Sequence, residues 1–112
     1  MNAPDVLTTF PNLIPEGHPF QETTPARLAW KLPLLRPGSY ASKTECPILF
    51  SICGKDSVAP AEATLAYAKT APKGVIKWYE DMGHFEIYYG QHFKQAFQDY
   101  KQFLEEALPV KS

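Results

Sequence analysis

The sequence predicts an α/β fold in which two parallel strands are joined by a helix and followed by a longer helix. Two short runs, 48–53 and 75–79, have the apolar, β-branched and aromatic composition of buried strands. Two further segments, 61–71 and 91–108, have helical periodicity. Parallel strands need a crossover connection, which a helix supplies in right-handed form. The predicted core is therefore strand, helix, strand, helix.

The strands are predicted to be covered on both faces. The run Ile48–Cys53 is apolar at nearly every position and does not alternate, as is typical of a parallel strand between two layers of helices. The crossover helix is predicted from Ala61 to Ala71, before Pro72 and Gly74, and its packed face is predicted to contain Ala63, Ala66, Tyr67 and Thr70.

The closing helix, about Gln91 to Leu108, is predicted to be amphipathic. Its apolar residues follow the i, i+3, i+4, i+7 rule, with lysines and acids between them and Pro109 at the end. They are Phe93, Ala96, Phe97, Tyr100, Phe103, Leu104 and Ala107.

The first 43 residues form a proline-rich segment. Prolines at positions 4, 11, 15, 19, 25, 33 and 37 favour loops with short helical pieces. One short helix is predicted over 25–32, after a threonine N-cap, and Arg36-Pro37-Gly38 is predicted to end it with a turn. The chain thus divides into 1–43 and 44–112.

Composition excludes several classes of function. The chain has 112 residues, which is enough for one small domain, and a net charge of −1 with eleven basic and twelve acidic residues interspersed. No basic field is available, so neither nucleic acid nor a membrane surface is an expected partner. The sequence contains neither a signal-peptide pattern nor an apolar run of about 20 residues, and the default localisation is cytoplasmic.

The cysteines and histidines predict neither a disulfide nor a metal site. Cys46 and Cys53 would lie about 23 Å apart on one extended segment, and we expect both to be buried, inert thiols. His18, His84 and His92 are dispersed, with His18 and His92 expected in solvent. No cofactor is expected, and Trp30, Trp78 and several tyrosines are expected to pack in the core.

One pair of ionisable residues is a candidate for catalysis. Asp56 follows the first strand after Gly54, and His84 follows the second strand after Gly83. The carboxyl ends of parallel strands meet at one edge of a sheet, where open α/β sheets carry their sites. Two structural alternatives remain open: Asp56 could cap the next turn by accepting the amides near positions 58 and 59, and His84 could be an ordinary loop histidine.

At this point the residues resemble a known family. Cys46-Pro-Ile-Leu-Phe-Ser-Ile-Cys-Gly-Lys-Asp-Ser-Val-Ala-Pro60 and Asp81-Met-Gly-His-Phe-Glu-Ile-Tyr88, with the terminal helix, are similar to the C-terminal third of an α/β-hydrolase. The resemblance implies that Asp56 and His84 are the acid and histidine of a catalytic triad. It also implies a small acyl substrate, with Phe85 and Tyr88 as substrate-binding residues. Residues 1–43 would be the remnant of a cap region, and 44–112 the C-terminal βαβα part of the domain.

The rest of the triad has no counterpart in this sequence. The chain contains neither a Gly-x-Ser-x-Gly motif for the nucleophile nor a loop that would donate oxyanion-hole amides, and Cys53 lies inside a strand. We therefore expect a C-terminal fragment of an α/β-hydrolase, inactive alone. Because a two-stranded sheet leaves apolar faces uncovered, it should associate with itself or with the missing N-terminal portion.

Two alternatives remain. The chain could be a non-enzymatic interaction module that pairs with a partner through its exposed sheet edge. It could also be a small enzyme in which Asp56 and His84 act as acid and base without a covalent intermediate.

Overall fold

The structure is a computed structural model that describes residues 7–18 and 23–110. The parts of the proline-rich segment at 1–6 and 19–22 lie outside the described residues, as do 111–112. The regular elements, in chain order, are α1 (Arg27–Lys31), β1 (Ile48–Cys53), α2 (Ala61–Ala68), β2 (Gly74–Tyr79) and α3 (Gly90–Ala107). Short 3-10 helices cover Phe10–Leu13, Leu32–Leu34, Pro37–Lys43 and Glu86–Tyr88.

The two strands form a parallel sheet. Their register runs from Ile48 opposite Gly74 to Cys53 opposite Tyr79, and α2 makes the crossover between them. The predicted order of strand, helix, strand and helix is therefore present. Because both strands end at the same edge, the loops that follow them are neighbours.

Helices cover the two faces of the sheet with separate small clusters. On one face, Ile52 packs with Ala61 and Ala68 of α2. On the other face, Tyr100 packs against a cluster of buried residues from both strand ends, the loop after β2 and α3. This cluster consists of Cys53, Tyr79, Met82, Ile87 and Ala96. Neighbouring residues of β1 thus point to opposite helices, as the pleat requires.

The packed face predicted for α2 is wrong. Ala63, Ala66, Tyr67 and Thr70 are exposed, whereas the helix buries Ala61 and Ala68. Half of the helix residues are alanines spread around its circumference, so the sequence offers little contrast between faces. The helix also ends at Ala68, three residues earlier than predicted, where the Thr70 hydroxyl donates to the Tyr67 carbonyl at 2.6 Å.

The proline-rich segment contributes less to the core than expected. Trp30 was expected in the core, but it lies on the short α1 and is 84% exposed. The turn expected at Arg36-Pro37-Gly38 is the beginning of a 3-10 helix, Pro37–Lys43, which lies against α2 with Gly38 beside the Tyr67 ring. Cys46 is also exposed, which corrects the expectation that both thiols are buried; Cys53 is buried.

A large apolar surface stays in contact with solvent. The chain exposes 8899 Å², whereas a compact monomer of 12.6 kDa exposes about 6,200 Å². On the sheet itself, Val75 is 40% and Trp78 is 37% exposed. In the part of the chain that the structure describes, no helix has the length and apolar character needed to cross a membrane.

Candidate functional site

The loops after the two strands are held together by backbone hydrogen bonds. The Gly54 amide donates to the Tyr79 carbonyl at 2.8 Å, and the Lys55 amide donates to the Met82 carbonyl at 3.0 Å. A Cβ on Gly54 would lie 2.9 Å from the carbonyl oxygen of Glu80, closer than real Cβ contacts come. Glycine at this position therefore permits the approach of the loop that carries Asp56 to the loop that carries His84.

Asp56 uses its two carboxylate oxygens for different tasks. Oδ1 accepts the backbone amides of Val58 and Ala59, at 2.9 and 2.8 Å. Oδ2 lies 2.8 Å from Nδ1 of His84. The capping role and the contact with histidine, which the sequence presented as alternatives, thus occur together. With 11% of its side chain exposed, the carboxylate is fixed in one orientation.

His84 sits in a short, closed turn. The Glu86 carboxylate accepts the Gly83 amide at 2.6 Å, which bridges the turn on either side of the histidine. The Phe85 ring stands edge-on to the imidazole, with centroids 4.8 Å apart and an angle of 86°. When Nδ1 donates its hydrogen to Asp56, the neutral ring keeps Nε2 as a proton acceptor.

The pair borders a cavity of about 240 Å³. Its wall includes Asp56, His84 and Tyr88 together with the apolar side chains of Ile52 and Ile87. Of the two residues predicted to bind substrate, Tyr88 lines this cavity, while Phe85 packs against the imidazole and is not part of the wall. The cavity can hold a small group beside a proton acceptor.

An ion pair lies on the outer side of the loops. Lys55 Nζ is 2.9 Å from Asp81 Oδ1, and their hydrogen bond raises the pKa of Lys55 and lowers the pKa of Asp81. Both side chains are largely exposed, so the pair adds little stability. The positions of Asp56 and His84 therefore depend on the backbone bonds rather than on this pair.

A second polar contact anchors α3 to the end of β2. The Tyr79 hydroxyl donates to Asp99 Oδ2 at 2.6 Å, and Lys77 Nζ lies 3.5 Å from the other oxygen of Asp99. Burial raises the pKa of Tyr79, and the bond to Asp99 adds to this effect. The contact holds the closing helix against the strand from which the His84 loop departs.

Of the other cysteines and histidines, the buried Cys53 lies in the cavity wall, whereas Cys46, His18 and His92 lie outside it. His18 is exposed, while His92, expected in solvent, is half-buried in the first turns of α3. Within residues 7–18 and 23–110, no three His, Cys, Asp or Glu side chains gather as metal ligands would. Sequence reasoning noted Gly54 but missed its role in the close approach of the two loops, and it missed Glu86, although the spacing of Glu86 three residues after Gly83 is the pattern by which a side chain reaches back to an amide.

Comparison with known proteins finds similarity without a matching family model. The chain is 40% identical over 111 residues to the quorum-quenching protein AidA of Acinetobacter baumannii (strain MDR-ZJ06); this alignment covers 99% of the chain and 36% of AidA. It is 36% identical over 63 residues to an uncharacterized 31.7 kDa protein of the traX-finO intergenic region of Escherichia coli, covering 54% of the chain and 22% of that protein.

The chain thus spans about a third or less of the length of these curated relatives. No protein-family model matches it. No solved structure matches it either.

Proposed function

We propose that the chain carries the acid and the histidine of a Ser-acid-His triad in an α/β-hydrolase-type domain. In this proposal, Asp56 and His84 are the catalytic residues, 44–112 is the C-terminal βαβα part of the domain, and 1–43 belongs to the cap region. The observation that carries the proposal is the 2.8 Å contact between Asp56 Oδ2 and His84 Nδ1 at the carboxyl ends of two parallel strands.

Each residue has one chemical role in this proposal. His84 Nε2 takes the proton from the hydroxyl of the nucleophile as the hydroxyl oxygen attacks the acyl carbon. Throughout this step the Nδ1–H of His84 donates a hydrogen bond to the Asp56 carboxylate. The Asp56 carboxylate stabilises the imidazolium that results. The proton then passes to the departing oxygen, which breaks the ester bond. Water repeats the cycle to release the acid and restore the nucleophile.

The nucleophile is supplied from outside the 112 residues, since the sequence contains no Gly-x-Ser-x-Gly motif. The substrate class is a small ester, lactone or related acyl compound. Because AidA is named a quorum-quenching protein, a diffusible signal with such a bond is the substrate we propose for the complete protein. Tyr88, on the cavity wall, contacts the acyl group, and Phe85 supports the imidazole.

The experiment is a graft. The 36% of AidA that aligns with this chain is replaced by the chain, and turnover of ester and lactone substrates is measured after circular dichroism has verified folding. The variant His84→Ala should lose about 10⁶-fold in kcat, and Asp56→Asn about 10⁴-fold. His92→Ala is the matched control and should retain activity. An active graft that tolerates His84→Ala would exclude the proposal.

The chain alone gives a complementary test. Because its sequence contains neither the nucleophile motif nor a His-Gly-type loop for the oxyanion hole, it should give no burst with a nitrophenyl ester and no covalent product with a fluorophosphonate. Stoichiometric labelling of a serine in this chain would overturn the proposal that the nucleophile lies outside these 112 residues.

An interaction module is the second candidate. It is favoured by the exposed surface, which is about 2,700 Å² larger than that of a compact monomer of this mass. Pairing through the open sheet edge, with another copy or with a separately supplied N-terminal portion, would cover part of it. An inactive graft together with a stable complex would favour this function.

A further inference from the structure

We propose that Glu86 is a positioning residue for His84, acting through the backbone of the turn rather than through the imidazole. This inference rests on the acid and base pair proposed above and deepens it. Its basis is the 2.6 Å bond in which the Glu86 carboxylate accepts the amide of Gly83, the residue immediately before the histidine.

The bond closes a ring around the histidine. Gly83 and Glu86 are three residues apart, so the side chain spans the peptide units on both sides of His84. Gly83 is buried, and a buried amide that loses its acceptor destabilises the conformation that buries it. A carboxylate acceptor makes the bond stronger than one between neutral groups. Glu86 therefore favours one backbone geometry at the position from which the imidazole projects.

The turn is also anchored just before this ring. The Met82 carbonyl accepts the Lys55 amide at 3.0 Å, which ties the beginning of the turn to the loop that carries Asp56. Glu86 accepts the N–H of the same Met82–Gly83 peptide, so this peptide is held at both of its polar groups, and the Asp56 carboxylate meets Nδ1 at 2.8 Å. Two acidic residues thus position one imidazole: Asp56 accepts a hydrogen bond from the ring, and Glu86 fixes the backbone from which the ring projects.

The inference is tested by NMR on the 112-residue chain with Glu86→Ala, Glu86→Gln and Glu86→Asp. Two signals are followed: hydrogen exchange of the Gly83 amide, and the proton on Nδ1 of His84. Glu86→Ala should speed the exchange roughly ten- to hundredfold, as expected for loss of a bond to a charged group. It should also weaken the Nδ1 proton signal as the ring samples its other tautomer.

The other variants separate reach from charge. Glu86→Gln keeps an acceptor oxygen at the same reach and should retain most of both signals, whereas Glu86→Asp keeps the charge, loses reach, and should behave like Glu86→Ala. The comparison of the Gln and Asp variants tests the role of Glu86 even if Glu86→Ala does not fold. Glu45→Ala, an exposed acid before β1, is the control and should match the wild type.

Either of two results would overturn the inference: Gly83 exchange that does not change in Glu86→Ala, or an Nδ1 signal that stays intact although the amide is released. Neither signal depends on hydrolysis. An inactive graft would therefore count against the proposed function and leave this test unaffected.

Discussion

Substitution of Gly54 by alanine should damage the candidate site without touching either of its ionisable residues. The new Cβ would lie 2.9 Å from the Glu80 carbonyl oxygen and 3.1 Å from the Glu80 Cα, whereas ordinary contacts begin at 3.4 Å. The obstructing atoms are backbone, so the two loops must separate by about 0.5 Å. If this displacement reaches the pair, the 2.8 Å contact of Asp56 with His84 stretches to about 3.3 Å, beyond the usual range for such bonds.

The energetic cost has two parts. Overpacking costs about 1–3 kcal/mol. The bonds from Gly54 to Tyr79 and from Lys55 to Met82 are weakened, at about 0.5–1.5 kcal/mol for each bond that is lost. We therefore expect Gly54→Ala to lower the free energy of unfolding by roughly 2–4 kcal/mol.

Urea denaturation measures the loss, and the NMR signal of the Nδ1 proton reports the pair. Gly38→Ala is the control: its Cβ would meet the Tyr67 ring at 2.5 Å, but this ring is 38% exposed and can rotate away. Gly38→Ala should lower the free energy of unfolding by less than half as much as Gly54→Ala does. If Gly54→Ala unfolds within about 0.5 kcal/mol of the wild type and keeps the Nδ1 signal, the steric reasoning is wrong.

Four further predictions concern the pair of Asp56 and His84, the anchor of α3, the pH dependence that this anchor causes, and the uncovered surface. Asp56→Asn should place an amide NH₂ opposite Nδ1 and favour the other tautomer, so that the Nδ1 proton signal disappears; its persistence would contradict the assigned bond. Tyr79→Phe should cost about 1.5–3 kcal/mol in urea denaturation because Asp99 loses its donor, with Tyr89→Phe, which is exposed, as a neutral control. Burial raises the pKa of Tyr79, so the unfolded chain loses this proton first: wild-type stability should fall as pH rises above about 10, and this fall should be smaller in Tyr79→Phe. Finally, the chain should associate or bind a hydrophobic dye, and a dye-negative monomer at high concentration would show that its apolar surface is tolerated.

The strands and the pair were predictable because strong local signals specify them. The boundaries of β1 match the prediction, and β2 begins one residue earlier than predicted. Once two parallel strands are placed, geometry brings the residues after their ends to one edge, which is why Asp56 and His84 could be paired across 28 positions. Their catalytic role stays a prediction.

The errors arose where the signal depends on tertiary contacts. An alanine-rich helix such as α2 does not indicate which side packs, and the apolar character of Trp30 cannot show whether a neighbour is available to bury it. The roles of Gly54 and Glu86 depend on distances between two loops, and these distances exist only after the sheet has formed.

The two oxygens of the Asp56 carboxylate bond partners at different distances along the sequence, and this difference has a consequence for the order of folding. The bonds from Oδ1 span two and three residues and form within a single turn, whereas the bond from Oδ2 closes a separation of 28 residues. Loops of a few residues close in well under a microsecond, but the long contact must wait for a helix and a parallel strand pair. The acid is thus oriented before the base arrives, so this chain should acquire the Asp56 turn early and His84 only as the sheet closes.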